Sequence, residues 1–198
     1  MKIGIFGGSF NPPHNMHKQI ALDLVNKNYL DKVIYVPTGD YYQKDDLIPA
    51  PIRYTMLKIM TKDYPNLEVS DYEIKNKLVY TYQTLDYFRQ KYPKDQIYFI
   101  CGTDNLKELY TWKNYKHILT NYKLLVIKRN HDQVEEILKY YQEYSNNIII
   151  LNLLQSRISS TTIREKISNN YEPTSKELDK NVLNYIKKKS LYKPHHHK

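Results

Sequence analysis

The chain has 198 residues, of which 41% are hydrophobic, so it can bury the core of one domain. Its one cysteine, Cys101, excludes an internal disulfide framework, and no apolar run approaches the roughly 18 residues that span a bilayer. A net charge of +9 would attract nucleic acid, an acidic membrane surface or phosphorylated small molecules, but an abundance of lysine is the simpler explanation. The chain opens on a strand-like run rather than a signal peptide, and these features together predict a cytoplasmic protein.

Six short apolar runs alternate with amphipathic segments along the chain. Runs such as "KVIYV", "IYFIC" and "NIIIL" are continuously apolar, which is typical of strands covered on both faces. Segments such as "HKQIALDLVNKN" have helical spacing. The predicted strands are Lys2–Phe6, Lys32–Val36, Leu67–Tyr72, Gln96–Cys101, Lys123–Ile127 and Asn147–Leu151. This alternation predicts an α/β fold with a Rossmann-like, doubly wound parallel sheet and a ligand crevice at the carboxyl ends of its strands.

The first predicted strand runs directly into "GGSFNPPHNMH". Gly7 and Gly8 would let a ligand approach the backbone closely at the carboxyl edge of the sheet. His14 and His17 are three residues apart, so they share one face of a first helical turn, where unpaired N–H groups favour anions. This combination predicts a cradle for phosphates. The alternatives are ordinary surface histidines or a metal-binding pair, although no cysteine or third histidine stands nearby in sequence.

The rest of the chain divides into a long loop, a helical end and a short tail. The segment Thr38–Pro51 is polar, turn-rich and long for a crossover, which is typical of functional loops. From about residue 159 the pattern is helical, and it forms a small C-terminal extension. We therefore predict one domain over residues 1–192, followed by a disordered tail, "KPHHHK", over residues 193–198.

A second candidate phosphate element, "RISSTTIREKI", follows the last predicted strand. The hydroxyl residues at 159 to 162 are candidate N-caps, and Thr162 with Glu165 fits a capping box. Capping needs only one or two of these hydroxyls, however. Arg164 falls in the predicted first turn, where the helix dipole disfavours a cation, so its presence indicates an anion bound between the guanidinium and the helix amides.

Together the two elements resemble the nucleotidylyltransferase superfamily, whose signatures are H-x-G-H early in the chain and S-S-T-x-x-R late in it. The chain is most similar to the bacterial nicotinate mononucleotide adenylyltransferase family, through "GIFGGSFNPPHNMH", "VYTYQTLDYF", "FICGTDNLKELYTWKNY", "VIKRN" and "ISSTTIRE", in that order. This resemblance implies a nucleotidyltransferase of NAD biosynthesis. Its reaction would join ATP and nicotinate mononucleotide to give nicotinate adenine dinucleotide and pyrophosphate.

The resemblance also implies roles for the residues that match the family's motifs. It implies that catalysis depends on His14, His17 and Arg164. It implies that ATP is bound by both phosphate elements and by the end of the fourth strand: Gly7, Gly8, Ser9, Phe10, His14, His17, Gly102, Asp104, Ser159, Ser160, Thr161 and Arg164. It implies that nicotinate mononucleotide is bound by Lys44, Tyr80, Thr81, Trp112 and Arg129. Mg²⁺ would be bound mainly through the ATP phosphates, so no protein ligand is assigned.

Three positions depart from the family pattern. Met16 replaces the usual glycine between the histidines, so its side chain would point away from the nucleotide or pack against the adenine or its ribose. Gln43 and Val79 also differ, which leaves the choice between nicotinate and nicotinamide mononucleotide open. We expect ATP and nicotinate mononucleotide as the partners, with neither nucleic acid nor membrane. The alternatives are an adenylyltransferase that acts on nicotinamide mononucleotide or phosphopantetheine, and a basic nucleic-acid-binding domain without catalysis.

Overall fold

The computed structural model of the chain describes residues 1–41, 46–129, 132–153 and 156–194, and it contains a six-stranded parallel sheet. The strand order is β3-β2-β1-β4-β5-β6. The strands are β1 (Lys2–Gly8), β2 (Lys32–Pro37), β3 (Leu67–Val69), β4 (Gln96–Gly102), β5 (Lys123–Ile127) and β6 (Ile148–Leu151). The order reverses between β1 and β4, so the predicted Rossmann-like fold is confirmed and its switch point lies between these two strands.

Helices cover both faces of this sheet. The α-helices are α1 (Asn15–Asn26), α2 (Ala50–Thr61), α3 (Tyr72–Lys75), α4 (Thr81–Lys91), α5 (Thr103–Glu108), α6 (Tyr115–Asn121), α7 (Val134–Tyr140), α8 (Ser160–Ser168) and α9 (Lys180–Lys188). Short 3₁₀ helices span Leu109–Thr111 and Gln142–Asn147. Within the described residues, no helix is both long enough and apolar enough to cross a membrane.

Each face of the sheet has its own apolar core. In β2, Val33 and Tyr35 pack into one core and Ile34 and Val36 into the other, as the alternation of side chains along a strand requires. The first core also contains residues of α1, α2, α8 and α9, whereas the second contains residues of α4, α5 and α6. The C-terminal helical part predicted from the sequence therefore completes one core of the domain.

The strands differ from the predicted ones mainly at their ends. β3 stops at Val69, because the Ser70 hydroxyl accepts a hydrogen bond from the Tyr72 backbone N–H at 3.2 Å and α3 begins there. In β1, Gly7 and Gly8 still pair with β2, so the turn begins two residues later than predicted. Because β3 ends at Val69, the predicted strand Leu67–Tyr72 is three residues too long.

Candidate active site

The loop between β1 and α1 lies at the switch point of the sheet. Phe10 in this loop has a φ of 51°, in the left-handed region that bulky residues rarely adopt, and its side chain is only 3% exposed. A Cβ on Gly8 would lie 3.3 Å from the Phe10 ring, whereas a Cβ on Gly7 would meet only a carbonyl at 4.0 Å. Gly8 therefore accommodates the Phe10 ring, and Gly7 leaves space beside the end of the strand.

The two histidines form a stacked pair at the start of α1. His14 is the N-cap, and its Nδ1 accepts a hydrogen bond from the Met16 N–H at 3.1 Å. The Nδ1 of His17 accepts one from the His14 N–H at 3.0 Å, and the two ring centres are 3.7 Å apart. Because Nδ1 is an acceptor in both rings, each neutral imidazole carries its proton on Nε2 and can donate it to a ligand.

Both imidazoles are neutral near pH 7. Burial, with a smaller contribution from the positive charge of Arg129, lowers the pKa of His14 from 6.5 to about 4. Burial also lowers the pKa of His17 well below its ordinary value, with additional contributions from His14 and Arg129. A bound polyanion would favour the charged forms, so this pair can become more positive when phosphates bind.

The second phosphate element begins at Ser159, which is the N-cap of α8. Its hydroxyl accepts a hydrogen bond from the Thr162 N–H at 3.2 Å, so Thr162 is not the cap and the proposed capping box with Glu165 is wrong. Arg164 consequently lies in the second turn rather than the first. Its side chain reaches back toward the N-terminus of the helix, as long side chains on helices do, and contacts the Thr161 hydroxyl at 3.4 Å.

The two phosphate elements meet, although about 150 residues separate them. Arg164 Nη1 donates to the Asn11 carbonyl at 2.8 Å, and the Ser160 hydroxyl donates to the Pro12 carbonyl at the same distance. Met16 adds a third link, because its sulfur lies 3.2 Å from the backbone nitrogen of Ser156. Met16 is 8% exposed, and its side chain is therefore packed against the loop that precedes α8.

The residues that follow β4 and β5 lie on the same side of the crevice as the two phosphate elements. The Gly102 N–H donates to Asn105 Oδ1 at 3.3 Å at the start of α5, and Asp104 follows in the exposed first turn. The Arg129 guanidinium lies 3.6 Å from the Asp104 carboxylate, and its charge acts on both His14 and His17. Arg129, assigned by resemblance to nicotinate mononucleotide, thus lies beside residues assigned to ATP.

The predicted acceptor residues lie at the starts of α4 and α6. Tyr80 immediately precedes α4, Thr81 is its first residue, and the Lys113 ammonium lies 4.8 Å from the centre of the Tyr80 ring. Trp112, next to Lys113, is half-buried and packs edge-on against Phe99 with ring centres 6.0 Å apart. These two acceptor segments are therefore neighbours. Lys44 and Gln43 lie outside the described residues.

Known proteins match this chain over nearly its whole length. Residues 5–166 match the family described as cytidylyltransferase-like. The chain is 39% identical to the "Probable nicotinate-nucleotide adenylyltransferase" of Clostridium novyi, over 97% of this chain and 99% of that protein. It is 40% identical to the protein of the same name from Clostridium acetobutylicum, over 96% and 98% of the two chains. The chain belongs to the nicotinate-nucleotide adenylyltransferase family. The resemblance identified from the motifs is confirmed.

A solved structure shares the fold of this adenylyltransferase-family chain. The Plasmodium falciparum nicotinic acid mononucleotide adenylyltransferase complexed with NaAD has a TM-score of 0.80 to it, covering 96% of this chain and 97% of that one. The two sequences are 21% identical, so this likeness concerns the fold alone. It agrees with the sheet order and with the placement of helices on both faces.

In this family member, sequence reasoning missed a fully buried arginine that joins two loops of the crevice. Arg53 of α2 is 0% exposed and donates to the carbonyls of Ser9 at 2.8 Å, Thr38 at 2.7 Å and Ile48 at 2.6 Å. It thereby connects the loop after β1 to the loop after β2. The sequence carries a signal for this role, because Arg53 falls on the apolar stripe of α2 and a buried cation needs hydrogen-bond acceptors around it.

Proposed function

We propose that this chain transfers the adenylyl group of ATP to nicotinate mononucleotide, giving nicotinate adenine dinucleotide and pyrophosphate in NAD biosynthesis. The observation that supports this proposal most directly is that the start of α8 contacts the loop after β1, which ends at the stacked histidines. The nucleophile is a phosphate oxygen that is already ionised at neutral pH, so the reaction needs neither a strong base nor a covalent intermediate. It needs two anions aligned and the charge on the α-phosphate stabilised.

On the ATP side, hydrogen-bond donors and a guanidinium would contact the triphosphate. We assign His14 and His17, through their Nε2 protons, to the charge that develops in the transition state. Arg164 would hold the β- and γ-phosphates and favour the departure of pyrophosphate, together with Ser159, Ser160 and Thr161. The adenosine end would be bound by Gly102 and Asp104 and by the loop after β1: Gly7, Gly8, Ser9 and Phe10. Since the Phe10 side chain is buried, its contact would come from the backbone.

On the acceptor side, we propose that Trp112 stacks on the pyridine ring and that the backbone amides at Tyr80 and Thr81 bind the nicotinate carboxylate. The start of α4 is favourable for this carboxylate because the helix dipole is positive there. The Tyr80 N–H donates to Gln83 Oε1 at 2.9 Å, so the carboxylate would replace that side-chain acceptor when it binds. Arg129 would help hold the phosphate of the mononucleotide, and Lys44 would reach the same substrate. The position of Arg129 between Asp104 and the histidines supports a contact where the two phosphates meet.

Mg²⁺ would enter with ATP. Among the described residues, no three histidine, cysteine or carboxylate side chains gather into a metal site, and Mg²⁺ is commonly held by phosphates and water. When bound, the ion would neutralise charge on the phosphates. We further propose that residues 1–192 act as one domain in the cytoplasm. Of the predicted tail, residues 195–198 lie outside the described part.

The decisive experiment offers the protein ATP with each of three acceptors and measures the adenylylated product and pyrophosphate. We expect nicotinate mononucleotide to be used with a higher kcat/KM than nicotinamide mononucleotide or phosphopantetheine. Trp112→Leu should raise the KM for the mononucleotide by about tenfold while the KM for ATP is unchanged, because one stacking contact is lost. A preference for phosphopantetheine, or salt-sensitive oligonucleotide binding without turnover, would refute the proposal.

A further inference from the structure

A tyrosine from the end of the described chain reaches the loop between β1 and α1. Tyr192 follows α9, with a φ of 64°, and its hydroxyl donates to Asn11 Oδ1 at 2.7 Å, across 181 positions of sequence. Asn11 is itself 5% exposed. Burial raises the pKa of the Tyr192 phenol above its ordinary value, so the hydroxyl keeps its proton and remains a donor.

Asn11 is a junction of several segments. Its Oδ1 accepts a second hydrogen bond from the Ile48 N–H at 3.3 Å, and its Nδ2 donates to the Asp46 carbonyl at 2.9 Å. Its own carbonyl accepts from Arg164 Nη1 at 2.8 Å. The position of Asn11 therefore determines the position of the acceptor that holds the Arg164 guanidinium.

The Tyr192 phenol also lies among the cations of the crevice. The charges of Arg164 and Arg53 both act on it, and both favour its ionised form, although burial outweighs them. The phenol thus lies near the two guanidinium groups that hold the loop: Arg53 at the Ser9 carbonyl and Arg164 at the Asn11 carbonyl. A neutral donor at this place adds no charge that would compete with anions for the Arg164 guanidinium.

We propose that Tyr192 is a positioning residue for the binding of the ATP phosphates: its hydroxyl fixes Asn11, and Asn11 holds Arg164 in place. This inference rests on the proposed function, in which Arg164 grips the phosphates. It makes the segment after α9 part of the catalytic apparatus, because a hydrogen bond from that segment orients a guanidinium contributed by α8. The role is specific to the nucleotide that Arg164 binds, so the acceptor should not be affected.

The test compares Tyr192→Phe with Tyr171→Phe, which removes the hydroxyl of a tyrosine that is 70% exposed. We expect Tyr192→Phe to lower kcat/KM for ATP by about threefold to tenfold, the worth of one buried hydrogen bond, with the KM for nicotinate mononucleotide unchanged. Tyr171→Phe should change neither. Unaltered kcat/KM for ATP in Tyr192→Phe would overturn the proposal.

A double-mutant cycle separates positioning from general loosening of the structure. In an Arg164→Ala background, Tyr192→Phe should cause no further loss in kcat/KM for ATP, while its effect on the melting temperature persists. Equal losses in both backgrounds would contradict the proposal. ATP affinity, measured by calorimetry on the same four proteins, gives an independent readout. If the unmutated chain forms no dinucleotide but its ATP affinity shows the same coupling, the proposed function fails and the role of Tyr192 stands.

Discussion

The proposed ATP side and the proposed acceptor side of the crevice position their side chains by different kinds of contact. On the ATP side, hydrogen bonds of 2.8 to 3.1 Å fix the loop after β1 to the starts of α1 and α8. On the acceptor side, the Tyr80 N–H donates to Gln83 Oε1 at 2.9 Å, but the side chains of Tyr80 and Trp112 make ring contacts, at 4.8 Å to the Lys113 ammonium and 6.0 Å to the Phe99 ring. This difference fits the proposed chemistry. Stabilising the charge of a transition state requires hydrogen-bond donors that are fixed before the reaction, whereas stacking a flat pyridine ring requires a less rigid surface.

Arg53 joins the loop after β1 to the loop after β2, so its removal is the harshest test of the hydrogen-bonded side of this comparison. Arg53→Met would leave the carbonyls of Ser9, Thr38 and Ile48 without their donor. We expect the free energy of unfolding to fall by about 3–5 kcal/mol, as measured by urea denaturation.

The matched control is Arg89→Met, because the Arg89 side chain is 47% exposed and its nearest carboxylate, on Asp86, is 3.9 Å away. This exposed pair should contribute less than about 1 kcal/mol. Similar losses in the Arg53 and Arg89 variants would show that the two loops do not depend on the buried guanidinium.

His17→Ala tests whether the rigid ATP side is also the catalytic side. Removing a donor aimed at a developing charge should lower kcat by about 10²–10³-fold, with the fold retained by circular dichroism. His17 also accepts the His14 N–H, so the loss of this cap could itself disturb the site.

His17→Gln separates the two roles. Glutamine at the third helical position can accept the N–H of the cap residue, as in a capping box, but it has no imidazole. Turnover should therefore stay low in His17→Gln. Near-normal turnover in this variant would show that an amide can replace both hydrogen bonds of His17 and that the mechanism does not need its imidazole.

The two sides should also respond to pH in opposite directions. On the ATP side, the pKa of His14 falls from 6.5 to about 4, so its contribution to stability is lost as the pH drops from 6.5 through 4. Near the acceptor side, burial raises the pKa of Glu73 from 4.5 to about 7, with a smaller opposing contribution from its hydrogen bond to Thr84. Its contribution is lost as the pH rises from 4.5 through 7.

Urea denaturation of two variants across these pH ranges separates the two opposing dependences of stability on pH. His14→Asn keeps an N-cap acceptor for the Met16 N–H, and it should gain stability relative to the unmutated chain as the pH falls, by about 3 kcal/mol at most. Glu73→Gln should gain relative stability as the pH rises. Difference curves without slope in these windows would show that neither group is buried as the structure has it.

The sequence predicts the fold and the two motifs that meet in the structure, because both appear as contiguous sequence patterns. Continuously apolar strands identify a parallel sheet, and the early and late motifs identify the ends of β1 and the start of α8. The contacts among Arg53, Asn11 and Tyr192 join positions far apart in sequence, and no local pattern specifies such pairs. The capping box at Thr162 and Glu165 was wrong because several consecutive hydroxyls fit the pattern of an N-cap. In the structure, Ser159 is the N-cap.

Met16 gives the mildest test, and one in which sequence and structure disagree. Met16→Gly would restore the family's usual residue, so the sequence alone favours ATP binding at least as tight as before. In the structure, however, the Met16 sulfur contacts the Ser156 backbone nitrogen and the side chain is packed against the loop that leads to α8. Loss of this contact should loosen that loop and raise the KM for ATP by about fivefold, or about 1 kcal/mol.

Met16→Leu is the control, because leucine keeps the volume and loses only the sulfur acceptor. Its KM for ATP should lie between those of the unmutated chain and Met16→Gly. Such an order would show that, where the family usually has a glycine, this chain has a side chain that connects its two phosphate elements. A lower KM in Met16→Gly would instead mean that the methionine obstructs the nucleotide, and that the hydrogen bonds of Ser160 and Arg164 suffice to hold the elements together.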